Sequence, residues 1–161
     1  MKTIRKIALF VALCVMAMVT VSAQEPSKVE VKVNELVKRY ENVKGVESLT
    51  VTKGGGLGLV KAMFNQQFGK DFMKGVTSIT VINYSDASQE TCLALRKDIE
   101  AIGSMLEEFK MGKEKEPAEP EQYAKSYAAL EGEKTISDFL TAMESKDVKM
   151  VLYMAGKIKV E

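Results

Sequence analysis

The chain has 161 residues, with 23 basic and 22 acidic side chains, no histidine, no tryptophan and two cysteines. Balanced charge without a Lys/Arg cluster excludes nucleic-acid binding that rests on neutralising phosphates. The lack of histidine removes the commonest general base, the Ser-His and Cys-His nucleophile pairs and the commonest metal ligand, and two cysteines are too few for a zinc site.

The first segment reads as an export signal. Lys2, Arg5 and Lys6 precede an uncharged run over residues 7–21, and Val21-Ser22-Ala23 occupies the cleavage positions before Gln24. The run falls short of the roughly 20 apolar residues that span a bilayer. A signal over residues 1–23, cut between Ala23 and Gln24, is therefore predicted in place of a membrane anchor. Cys14 lies mid-run behind Val11-Ala12-Leu13 and reads as an apolar residue of the signal, not a lipid-attachment site. The expected product is periplasmic or secreted and is not a lipoprotein. It would hold 138 residues with 20 basic and 22 acidic side chains, a formal charge of −2. Its one cysteine, Cys92, could close no internal disulfide, so the core alone would hold the fold.

Residues 24–27 form a short tail. Ser27-x-x-Glu30 matches a capping box, and Val29, Val33, Leu36, Val37 and Tyr40 recur at helical spacing, which predicts a helix over 28–41. Residues 46–52 are rich in β-branched side chains and predict a strand. Gly54, Gly55, Gly56 and Gly58 follow, then Val60, Met63, Phe64 and Phe68 at helical spacing predict a second helix over 57–68. Residues 76–84 give the clearest strand. Beyond Ser85-Asp86, with Gln89 at a capping position, Cys92, Leu95, Ile99, Ile102, Leu106 and Phe109 form an unbroken stripe, predicting a helix over 87–110 ended by Gly112. Residues 113–121 are charged, contain Pro117 and Pro120, and read as a solvated linker inside one domain. Residues 122–130 fit a helix or a strand and are assigned as strand. Residues 131–134 predict a turn. Thr135-x-x-Asp138 followed by Ile136, Phe139, Leu140 and Met143 predicts a capped short helix. Residues 148–160 predict a final strand, with a bulge at Gly156.

Four strands alternating with helices imply an α+β chain built as an α/β two-layer sandwich: a sheet of about four strands covered by helices, forming one domain over 24–161.

The one feature with ligand-binding character is the glycine run Gly54, Gly55, Gly56 and Gly58. It sits between a strand and a helix N-terminus, where backbone N–H groups can cradle a phosphate or carboxylate. No Gly-Lys-Ser/Thr closes it, and Lys61 stands where the dinucleotide fingerprint needs a third small residue. A plain strand-to-helix connection is the simpler reading. Cys92 near a helix start could be a reactive thiol, but its place on the apolar stripe favours packing. Glu114, Glu116, Glu119 and Glu121 lack the Asp/Asn spacing of a calcium loop. No cofactor or metal is expected.

Residues 46–52, Phe68-Gly69-Lys70-Asp71-Phe72 and the terminal stretch 150–160 resemble small exported proteins of Bacteroides and relatives that belong to domain-of-unknown-function families. The resemblance implies a Gram-negative host and an envelope location, favours a strand at 122–130, and brings no catalytic residues. Some of those relatives look like lipoproteins; this chain departs from them in having no acylatable cysteine after its signal. The expected function is a non-catalytic protein-interaction module that binds another envelope protein or itself. The alternative is a small anion-binding protein using the glycine run, and a hydrolase working without histidine is a third reading.

Overall fold

A computed structural model describes residues 25–108 and 123–160. The signal over 1–23 with its Ala23–Gln24 junction, Phe109 and Gly112, and the 113–121 linker with its four glutamates lie outside the described residues.

The first helix, α1 (Lys28–Tyr40), starts where Ser27 accepts a hydrogen bond from the Glu30 N–H at 3.0 Å. The Glu30 carboxylate accepts from Ser78 Oγ at 3.0 Å and so ties the helix to the sheet. Gly45, at φ 81, then turns the chain into β1 (Glu47–Thr52). An added Cβ there would sit 2.2 Å from the Asp86 carbonyl oxygen, so the position needs glycine both for its backbone and for space. Next come α2 (Leu57–Phe68), β2 (Gly75–Asn83) and α3 (Gln89–Gly103). The last four elements are all strands: β3 (Glu107–Glu108), β4 (Tyr123–Gly132), β5 (Thr135–Glu144) and β6 (Lys149–Lys159).

These strands form one six-stranded sheet in the order β1-β2-β6-β5-β4-β3, with every pairing antiparallel. The expected four-stranded, two-layer α/β sandwich is therefore wrong, although the broader α+β class stands. The helices also divide between faces. Val29, Val33, Leu36 and Tyr40 of α1 and Cys92, Leu95, Ile99 and Ile102 of α3 pack on Ile82, Leu140, Val151 and Tyr153 of the first face. On the second face, Leu57 of α2 and Met73 pack on Val76, Ile79, Phe139, Met154 and Ile158, with Phe64 beside them.

The largest error is 135–143, expected as a helix and found as β5. Register shifts between Ser137 and Phe139, where Asp138 adopts φ 50. That irregularity resets the two-residue alternation, so Ile136 and Phe139 both reach the second face while Leu140 and Ala142 reach the first. The resulting apolar spacing imitates a helix. Asp138 caps nothing; its carboxylate accepts from Ser27 Oγ at 2.7 Å and Tyr153 OH at 2.5 Å.

Helix α3 is shorter than expected at both ends. Its cap is Ser88, which accepts from the Thr91 N–H at 3.2 Å, whereas the Ser85 hydroxyl donates to Asn83 Oδ1 at 2.8 Å. The helix ends at Gly103, over which the Tyr127 ring lies so closely that an added Cβ would meet it at 2.6 Å. Leu106 still packs against the core, but from beyond the helix. Near Gly156, at φ 93, register shifts in β2 between Val76 and Ser78, so the bulge expected in β6 is met by an extra residue in its partner.

Candidate functional site

The glycine run falls where the sequence places it, between β1 and α2. Gly56, at φ 94, is the N-cap and offers no side chain to the first helical turn. The Gly54 and Gly55 N–H groups both donate to the Thr52 carbonyl at 2.9 Å, so neither is left for a ligand. Beside the run, Lys53, Gly54, Leu57, Gly58 and Lys61 line an open cavity of about 300 Å³. Of the four predicted glycines, Gly54 and Gly58 reach this cavity and Gly55 and Gly56 do not. Burial, and then the neighbouring Lys53 ammonium, hold Lys61 below the ordinary lysine range. Two cations thus share a space above a helix start whose dipole also favours an anion. Sequence reasoning saw Lys61 only as the residue that spoils a fingerprint; a basic residue on each flank of the run was the available signal.

Cys92 is buried in the α3 stripe. Its sulfur accepts from Lys149 Nζ at 3.4 Å and lies 3.8 Å from the Ala87 carbonyl oxygen. Close by, Glu144 is only 7% exposed. It accepts from Tyr84 OH at 3.0 Å and Arg96 Nε at 3.2 Å, with a second, closer contact from Arg96 Nη2. The Arg96 guanidinium also lies over the Tyr123 ring, 4.4 Å from its centroid. Burial, then the Glu144 charge, push the Tyr84 phenol far above its ordinary range. These contacts clamp α3 to the end of β5.

The second face of the sheet is covered only in part. Cross-strand register places Leu49, Val81, Leu152 and Thr141 in one row and Asn83, Met150 and Met143 in the next. Opposed residues of an antiparallel ladder share a face, so both rows lie on the side that carries α2. Neither row supplies a fully buried residue of the core beneath α2, although Val81 and Leu152 pack against its margin. Leu49 is 63% exposed, Met143 is 46% exposed, and Val81, Met150 and Leu152 are half-buried. Leu59 and Met63 of α2 are exposed as well.

The two sheet edges differ. The β3 edge is two residues long and both are glutamates. The β1 edge runs Glu-Ser-Leu-Thr-Val-Thr, is exposed along nearly its whole length, and has no proline and no charge between Glu47 and Lys53.

Among the described residues no group of three or more Cys, Asp or Glu is placed to hold a metal ion, and no helix is long and apolar enough to cross a membrane. No protein-family model, curated protein or solved structure matches this chain.

Proposed function

We propose that this chain is an exported, non-catalytic module that binds protein through the uncovered rows of its second sheet face. One observation supports this above the rest: Leu49, Met143 and Met150 lie together on this face with the half-buried Val81 and Leu152, which only border the α2 core. Burying a large apolar side chain fully contributes about 1.5–3 kcal/mol, so a partner covering several of these has an ample driving force. The test is a photo-crosslinking residue at Met143, with the exposed Lys97 of α3 as control, in cells producing the protein. A discrete adduct from position 143 that is absent from position 97, and that disappears when Leu152→Glu is added, supports the surface. Equal adducts from both positions, or none from either, would overturn it.

The Lys53–Lys61 cavity supports a second reading, a site for a small phosphate or carboxylate. Inorganic phosphate and acetate should then raise Tm in a saturable way, and Lys61→Ala should remove the effect. No rise, or a rise that survives the substitution, excludes it.

A further inference from the structure

We infer that the partner at the β1 edge is a second copy of this chain, paired antiparallel about a twofold axis through Thr50. This rests on the protein-interaction reading and narrows it to one partner and one strand. The geometry is restrictive. An antiparallel pair of identical edges has its axis perpendicular to the sheet, and opposed residues share a face, so the numbers of facing residues must add to an even sum. With Thr50 facing its own copy, Leu49 faces Val51 and Ser48 faces Thr52, each pair occurring twice, and Glu47 lies at the strand end beside the turn that Lys53 opens on the other copy. Shifting the axis by one allowed step to Leu49 sets Glu47 against Val51, and shifting it the other way to Val51 sets Lys53 against Leu49. Of these three, only the Thr50 register pairs Leu49 with Val51, keeps Glu47 off an apolar partner and brings it near an opposite charge, Lys53 at the turn.

The edge itself is suited to this use. Open strands invite pairing, and proteins that resist it place lysine, proline or a bulge in the middle. Between Glu47 and Lys53 the strand has none of these, and β1 pairs with β2 in unbroken register. At the other side of the sheet the two-residue β3, which pairs with Tyr127 and Ala128 of β4, carries only glutamates, and two copies of it would bring like charges together. Pairing at β1 would join the two sheets into one. Rotation about the perpendicular axis keeps the faces aligned and reverses the ends. The second copy's α2 then lies on the second face at the level of the first copy's uncovered rows, and Leu49 and Val51 of both copies form one apolar strip.

The test uses sedimentation of the purified protein over a range of concentrations. Wild type should dimerise reversibly, and more weakly as salt rises. Glu47→Lys and Lys53→Glu should each weaken dimerisation about tenfold, because each turns two attractive pairs into two repulsive ones. An equimolar mixture of the two single variants should recover wild-type association as a heterodimer. In that heterodimer one copy is basic at both positions and the other acidic at both, so both cross-strand pairs are attractive again. Thr50→Cys should give a dimer on a non-reducing gel after mild oxidation, while Ser48→Cys, which faces Thr52, should not. A wild type that stays monomeric at high concentration, or a dimer indifferent to the charge swaps, overturns the pairing. The Met143 crosslink is read in parallel. If it persists in a monomer, the β1 pairing alone fails; if it is lost while dimers form, the reading of the uncovered rows fails instead.

Discussion

Replacing Arg96 with methionine keeps an apolar stem and removes the guanidinium, and with it the contact over the Tyr123 ring. Glu144 would fall from three hydrogen bonds to the single one from Tyr84. Breaking a buried ion pair by removing one partner typically costs about 3–5 kcal/mol. Because the Arg96 side chain is 35% exposed, water can reach part of the vacated space, which lowers the expectation to about 2–3 kcal/mol at pH 7. At this chain length that is a fall in Tm of about 6–10 °C. Adding Glu144→Gln should recover much of the loss, because a neutral amide in that place needs no cation. Urea unfolding followed by circular dichroism reads both variants. A cost below about 0.5 kcal/mol, or no recovery in the double variant, would show the pair to be an ordinary surface salt bridge.

Three further predictions address other parts of the molecule. All five tyrosines are held above the ordinary phenol range, Tyr40 at about 12 by burial and then its hydrogen bond to Asp98, so the stability they contribute is complete below pH 10 and lost as pH rises through their folded values. Phenolate absorbance should therefore stay low at pH 10 and rise steeply with unfolding at higher pH; gradual ionisation from pH 10 would count against the burial. Gly103→Ala should cost about 1–3 kcal/mol in a denaturant titration, because its methyl overlaps the Tyr127 ring, and Tyr127→Ala should suppress that cost in a double-mutant cycle. N-terminal sequencing of the protein recovered outside the cytoplasm should begin at Gln24, and Ala23→Arg should leave the precursor uncut.

Legibility in the sequence followed how local each decision was. Helix α1, helix α2 and strand β2 lie within a residue or so of their predicted bounds, since caps, glycines and alternation act over a few residues. The segment 122–130 is ambiguous by pattern, and its described residues, from Tyr123 on, form β4 as assigned. Strand β5 failed because the irregularity at Asp138 exists only against its neighbours β4 and β6, and without them its apolar spacing is helical. Helix α3 was overrun because Leu106 keeps the stripe going after Gly103 has ended the helix. The glycine run was placed correctly, yet Lys61 was read only through the fingerprint it breaks and Lys53 was given no role. The uncovered rows could not be read at all, because Leu49, Val81 and Leu152 come from three strands and meet only through the pairing order.

That pairing order also fixes when the protein can fold. Strand β6 is made last and sits in the middle, between β2 and β5. Before residues 149–159 exist, β1 with β2 and β3 with β4 and β5 share no ladder, and each part ends in an unpaired edge. The Ser27–Asp138 hydrogen bond joins positions 111 residues apart, so α1 gains that tie to the sheet only late as well. Contacts of such long range slow folding. Until β6 is in place, β2 and β5 each keep an unpaired edge, so the two part-sheets are most open to mispairing and proteolysis before the last strand enters between them.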